Sequence, residues 1–195
     1  MPDMSEGGPL LLDGTQQALL DLWRSRRGGR AMPQRRDFET LDFVPWMGDL
    51  NMLEVVADGA DFIYRVFATN VVLQQGFELT GNLMSTHPNP IAKAIGFGCY
   101  REVCRTGLPY LFRRPVVLNV DIDREQTIIR ENTVLPLGDP AGRVDRILVL
   151  QSPKSHSPGI DQAARSIPVQ FIPLDGQTPA FTRPISDMIA AYSSP

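Results

Sequence analysis

Residues 51–68 read NMLEVVADGADFIYRVFA, and this sequence has the features of a β-hairpin. The segments Asn51–Ala57 and Asp61–Ala68 are rich in β-branched and aromatic residues, which favour strands. Between them, Asp58-Gly59-Ala60 is a hairpin signal, because Gly59 is free to take a positive φ. The stretch therefore predicts two antiparallel strands joined by a tight turn.

Two helices and three further strands are predicted after this hairpin. A short helix over Thr69–Gln75 is followed by a longer one over Pro90–Thr106, in which apolar residues recur at helical spacing. The β-rich segments are Tyr110–Val120, Thr127–Leu137 and Val144–Gln151. A hairpin and a three-stranded meander predict an α+β fold: a five-stranded antiparallel sheet with short helices on one face.

An amphipathic helix is predicted ahead of the sheet, over Thr15–Arg27, and residues 1–14 are expected to be a flexible N-terminus. We expect the helix to cover the outer face of the sheet. The exposed remainder of its apolar stripe is the candidate contact of a homodimer. That stripe consists of Leu19, Leu20, Leu22 and Trp23.

Residues 153–195 form a proline-rich C-terminal tail. The composition predicts an extended segment with a weak helix over Pro184–Tyr192. Two interpretations stay open: the tail is disordered, or it docks on its own domain or on a partner.

Composition and charge narrow the class of protein. The 195 residues are 43% hydrophobic, and 19 basic against 22 acidic residues give a net charge of −3. These values exclude a globally basic nucleic-acid binder and an acidic disordered chain. With no secretory signal and no apolar run of membrane-spanning length, we expect a cytoplasmic protein with two free cysteines.

Several short motifs follow one another between about residues 15 and 152, and their order and spacing together resemble those of a PAS domain. The closer resemblance is to the small single-domain PAS-fold family found mainly in alphaproteobacteria. One position departs from that pattern, because Ala68 stands where the family has a glycine. The motifs are Trp23-Arg24, Gly29-Arg30, Met32-Pro33, Arg35-Arg36-Asp37, Tyr64-Arg65, Thr69, Gly76, Leu79-Thr80-Gly81, Glu131, Leu135-Pro136-Leu137 and Val144-Asp145.

The resemblance implies that residues 15–152 form a PAS-like domain with an N-terminal helix. It implies a sensory or interaction fold with a possible ligand cavity between sheet and helices. It implies no reaction, because a fold does not determine a function.

Arg65 is the leading candidate for a ligand contact. If the turn at Gly76 is aligned with the corresponding turn of a generic PAS domain, Arg65 and Phe67 lie on the inner side of the sheet. A buried guanidinium needs a partner, which is either Glu131 or an anionic or carbonyl-bearing ligand. A reversed strand register would instead turn Arg65 outward. The remaining candidates lie on the long helix, where they flank the cavity or pack in the core: Phe97, Tyr100 and Cys104.

The cofactor is unknown from sequence, and haem and flavin are both disfavoured. His87 is the one candidate axial ligand inside the domain, and its position before a helix is typical of a turn or cap. The alternating Asp121, Asp123 and Glu125 lack the spacing of a calcium loop. We predict no metal site and no catalytic residue.

The arginines between Arg26 and Arg36 precede an acidic block, so we expect internal ion pairs there. The leading hypothesis is a non-catalytic PAS-type signalling module that acts by small-ligand binding, protein association or both. One alternative is a small enzyme that uses the cavity. Another is an adaptor for nucleic acid or anionic surfaces that uses the arginine cluster.

Overall fold

The structure is a computed structural model that describes residues 12–121, 124–156 and 167–193. The predicted flexible N-terminus lies almost wholly outside these residues, and so does part of the acidic turn around Asp123. The helices are α1 (Gly14–Arg26), α2 (Thr69–Gln75), α3 (Pro90–Thr106) and α4 (Ile185–Ser193). The strands are β1 (Leu50–Val56), β2 (Asp61–Val66), β3 (Tyr110–Asp121), β4 (Arg124–Gly138), β5 (Val144–His156), β6 (Val169–Pro173) and β7 (Phe181–Arg183).

One antiparallel sheet runs through the molecule in the order β2-β1-β5-β4-β3-β6-β7. The predicted hairpin is confirmed as β1 and β2, and the predicted meander as β3, β4 and β5. Gly59 in the hairpin turn has φ +88°, as its position required. The α+β class is therefore correct.

The expectation of five strands is wrong, because the proline-rich segment supplies two more. β6 pairs with β3, and β7 pairs with β6. Two prolines of this segment lie at element boundaries, because Pro173 ends β6 and Pro184 separates β7 from α4, whereas Pro153 lies within β5. Proline at a strand end removes no hydrogen bond from the ladder, so proline content did not preclude strands here.

The described part of the tail packs onto the domain. Met188 of α4 lies against Gly98 of α3, where an added Cβ would overlap the Met188 methyl group. The rings of Tyr192 and Phe97 stack with 4.7 Å between centroids. Residues 169–193 therefore form an integral part of the domain, and the predicted helix over Pro184–Tyr192 corresponds to α4.

The sheet separates two hydrophobic cores. On the outer face, α1 packs against leucines of β4 and β5, as expected from its apolar stripe. The Trp23 indole Nε1 donates a hydrogen bond to the Pro136 carbonyl at 2.7 Å. Asp13 caps the helix, in a capping box with Gln16. On the inner face, α2, α3 and α4 cover an aromatic-rich core.

Candidate ligand cavity

A small cavity lies between the inner face of the sheet and α3. Its volume is about 40 Å³, which is more than one buried water molecule needs. Its apolar lining comes mainly from aromatic and branched side chains. The full lining is Asn51, Tyr64, Phe67, Gln75, Met84, His87, Ala92, Ile95, Gly96, Cys99, Tyr100, Phe112, Arg114, Asn132, Val134 and Gln151.

A belt of polar residues crosses the inner face at this cavity. In the strand register, Arg114 of β3 lies opposite Arg130 of β4, and Asn132 of β4 lies opposite Gln151 of β5. Alternate residues of a strand share a face, so these four side chains and Asn51 of β1 all belong to the inner face. Most other residues of that face are apolar, apart from Arg183 of β7, which pairs with Glu102 of α3 at 2.7 Å.

Arg114 is the central group of this belt. Among the described residues it has no hydrogen bond and no ion pair, although it is partly buried. Its neighbour Arg130 donates a 3.3 Å hydrogen bond to Gln151 Oε1. Burial and the nearby charge of Arg114 lower the pKa of Arg130 to about 10, so it still carries its charge at neutral pH. Among the described residues the lining contains Arg114 and no carboxylate, so this part of the cavity is positively charged.

Two amide oxygens in the cavity wall have no hydrogen-bond partner among the residues that the structure describes. Asn132 is 6% exposed, and its Oδ1 accepts no hydrogen bond from the described residues. The Gln75 Oε1 atom is also buried without a partner there. By contrast, Asn51 Oδ1 accepts from the Ala68 backbone N–H at 2.8 Å. Because buried polar atoms are almost always paired in folded proteins, two orphans in one small cavity are unusual.

The other titratable groups in the wall are neutral at physiological pH. Burial raises the pKa of Tyr64 and of Tyr100 above the ordinary phenol value. Burial lowers the pKa of His87, whose Nδ1 accepts a hydrogen bond from the Asn89 N–H at 3.1 Å. None of these groups offsets the guanidinium charge of Arg114, which lines the cavity, and its cross-strand neighbour Arg130 adds a second positive charge nearby. The arrangement is therefore suited to binding an anion.

Of the six predicted ligand contacts, Phe67 and Tyr100 line the cavity. Phe97 does not, because its ring is packed between Phe62 and Tyr192 in the core. Cys104 faces a groove on the outside of the domain, next to Gly59. Burial raises the pKa of the Cys104 thiol to about 11, so it is protonated at neutral pH.

Arg65 and Glu131 lie on the outer face, and the predicted pairing between them is wrong. Arg65 Nε donates to Glu54 Oε2 at 2.7 Å, with 48% of its side chain exposed. Glu131 pairs with Arg113, directly opposite it on β3, at 2.6 Å. The reason is register: a shift of one residue along a strand moves a side chain to the other face.

The predicted dimer contact is mostly buried within one chain. Leu19, Leu20 and Trp23 are at most 2% exposed because they pack on the outer face of the sheet, and Leu22 is partly buried there. These side chains are therefore not available to a second copy. Large apolar side chains that are exposed are Leu41, Val44, Met47, Val66, Leu73, Leu83 and Ile189.

The arginine cluster forms ion pairs with the acidic block that follows it, as predicted. Arg26 pairs with Asp42 at 2.9 Å, and Arg30 pairs with Asp37 at 2.7 Å. These pairs count against an adaptor that would use the same arginines to bind phosphate groups.

Sequence reasoning missed Arg114, Asn132 and Gln75. A signal was present in the strands: Arg114 continues the inner-face alternation of Tyr110 and Phe112. A polar residue on the apolar face of a strand is such a signal. Gln75 gave none, because it is one of two adjacent glutamines in a short polar helix end.

In the described parts of the chain, no group of three or more His, Cys, Asp or Glu side chains could hold a metal ion. None of the helices described there is long and apolar enough to cross a membrane. In comparisons with known proteins, no family model and no curated protein matches this chain.

Proposed function

We propose that this chain is a non-catalytic sensory module of PAS type that binds a small molecule in the cavity between its sheet and α3. Signalling would then proceed by association with another protein or a second copy. The observation that carries the proposal is the unpaired polar interior of the cavity, with Arg114 and the Asn132 Oδ1 atom at its centre.

The energetic argument is that this interior is costly when unliganded. A buried amide oxygen without a partner costs about 1–3 kcal/mol, and a partly buried charge without a partner also destabilises the fold. A bound molecule that pairs these groups would recover that free energy. A mostly apolar cavity with a few convergent polar groups is typical of small-molecule binding pockets.

The elements around the cavity offer a route for a signal. Helix α3 contributes Ile95, Cys99 and Tyr100 to the wall, and its opposite side carries α4 through Gly98. A ligand that favours one position of α3 would therefore change the position at which the C-terminal helix α4 packs. Such a change requires only that the ligand bind the two positions with different affinity.

The first experiment is native mass spectrometry of the full chain, followed by a thermal-shift screen of small metabolites. Bound extra mass reveals a ligand retained through purification, and the same spectrum gives the oligomeric state. A ligand at 100 times its Kd stabilises by about 2.7 kcal/mol, which raises the Tm of a chain of this size by about 5–10 °C.

A matched pair of variants assigns any shift to the cavity. Val134→Leu adds a methylene group to the cavity wall and should abolish the shift. Leu135→Ile changes the next residue, which lies on the outer face, and should preserve it. A screen in which no compound raises the Tm, with no retained mass, would remove the ligand-binding half of the proposal.

A further inference from the structure

The charge of the cavity restricts its ligand to an anion. Arg114 lines the cavity, and its cross-strand neighbour Arg130 lies outside the lining but adds a second positive charge beside it. The described residues of the lining include no carboxylate. The only polar contact of these two arginines among the described residues is the hydrogen bond from Arg130 to Gln151. Arg114 therefore keeps its whole guanidinium fork for a ligand, and that fork matches the two oxygens of a carboxylate.

The orphan amide oxygens require a hydrogen-bond donor on the same ligand. Asn132 Oδ1 and Gln75 Oε1 are both buried acceptors, and a bare carboxylate has no proton to offer them. A hydroxyl or an ammonium group would supply one. The ammonium group is disfavoured because it would sit beside two guanidinium charges.

The size and the apolar remainder of the wall limit the ligand further. A cavity of about 40 Å³ takes only a few heavy atoms. Phe67, Phe112 and Ile95 contribute apolar surface to it. A molecule that is polar on every side, such as inorganic phosphate, would leave oxygens against these side chains, whereas a short carbon chain would not.

Resting on the proposed function, we infer that the cavity binds a small hydroxycarboxylate of the size of glycolate or lactate. Its carboxylate pairs with Arg114, and its hydroxyl donates to Asn132 Oδ1 or Gln75 Oε1. No bond of the ligand is made or broken.

The test titrates glycolate and lactate into the full-length chain at constant ionic strength and follows binding by calorimetry and by Tm. Acetate lacks the hydroxyl, glycine replaces it with an ammonium group, and phosphate is polar on every side. We expect glycolate or lactate to bind about tenfold or more tightly than any of these three, because one hydrogen bond in a buried site has roughly that effect.

The variant Arg114→Met is matched by Arg113→Met, one residue away on the opposite face. Arg114→Met should weaken glycolate binding by about tenfold or more, whereas Arg113→Met should leave it unchanged. Folding is monitored separately: without ligand, Arg114→Met should have a Tm equal to or above that of the natural chain, because an unpaired charge is gone.

A second pair tests the hydroxyl contact. In the double variant Gln75→Leu/Asn132→Leu, which removes both candidate acceptors, the affinities for glycolate and acetate should become equal, whereas Thr133→Val on the outer face should keep them apart. Equal binding of acetate and glycolate by the natural chain, tighter binding of glycine or phosphate, or full binding by Arg114→Met would each overturn the inference.

The failure of this inference is distinguishable from that of the proposed function. A neutral molecule whose binding is abolished by Val134→Leu but not by Arg114→Met would overturn the hydroxycarboxylate and leave the ligand-binding module standing. If no small molecule binds at all, both fail.

Discussion

The two faces of the one sheet have different chemistry. The outer face is made of leucines under α1, and charged side chains there have partners: Glu54 accepts from Arg65 at 2.7 Å and from Arg146 at 3.0 Å. The inner face is aromatic, and it carries two neighbouring arginines without a carboxylate in the cavity beside them. The charged groups of the outer face thus stabilise the fold, whereas the inner face has polar groups, such as Arg114, that could bind a ligand.

The largest effect is expected from breaking the outer face. Trp23→Ala removes a side chain that is 2% exposed and its hydrogen bond to Pro136. We expect a loss of about 3–5 kcal/mol in the free energy of unfolding, measured by urea denaturation. Leu22→Ala, on the same helix but only partly buried, should cost far less. Similar losses in the free energy of unfolding for both variants would show that α1 does not pack on the sheet through Trp23.

The second-largest loss of stability is expected from breaking the ion pair that attaches β7 to α3 on the inner side of the sheet. Glu102, 3% exposed, accepts hydrogen bonds from Arg105 at 2.6 Å and from Arg183 of β7 at 2.7 Å. Glu102→Gln should cost about 2 kcal/mol at pH 7. Burial raises the pKa of Glu102, but the two arginines outweigh it and the net pKa is lowered from 4.5.

Because the folded-state pKa is lowered, this contribution is fully present above about pH 4.5 and is lost as pH falls through the folded pKa. The difference in unfolding midpoint between Glu102→Gln and the natural chain should therefore be constant from pH 6 to 8, because Glu102 stays ionised there. It should shrink below about pH 4.5. A difference that does not shrink on acidification would contradict the ion-pair assignment.

A smaller change in stability is expected from substitutions at two adjacent residues, Asn132 on the inner face and Thr133 on the outer face. Asn132 and Thr133 each bury an oxygen without a partner among the described residues, one on each face. Replacing either by an apolar residue of similar size should stabilise the chain by about 1 kcal/mol. Thermal unfolding of Asn132→Leu and Thr133→Val measures this. Loss of stability in Asn132→Leu alone would mean that its amide has a partner in the folded chain.

The smallest effect is expected at Arg65, the leading candidate of the sequence analysis. Its pair with Glu54 is solvent-exposed, and such pairs contribute little. Arg65→Met should change neither the unfolding midpoint measurably nor the binding of any cavity ligand. A clear loss of binding would show that the inner and outer faces communicate through β2.

Local sequence signals predicted most elements because they depend on neighbouring residues. Helix α3 was predicted over Pro90–Thr106 and α2 over Thr69–Gln75, and both bounds agree with the structure. The hairpin at Gly59 followed from the conformational freedom of glycine. The strands β6 and β7 were missed because their stability comes from pairing with a distant strand rather than from local preference.

Periodicity, turn residues and nearby charges were sufficient to predict the α+β class, the order of elements through β5, and the pairing of the arginine cluster with the acidic block. They were not sufficient to predict which face each strand residue occupies, because that choice depends on how the whole sheet packs. That choice placed Arg114 and Asn132 inside, and Arg65 and Glu131 outside. The physical reason is the two-residue period of a strand: both registers satisfy the local pattern, and only packing of the whole sheet selects between them.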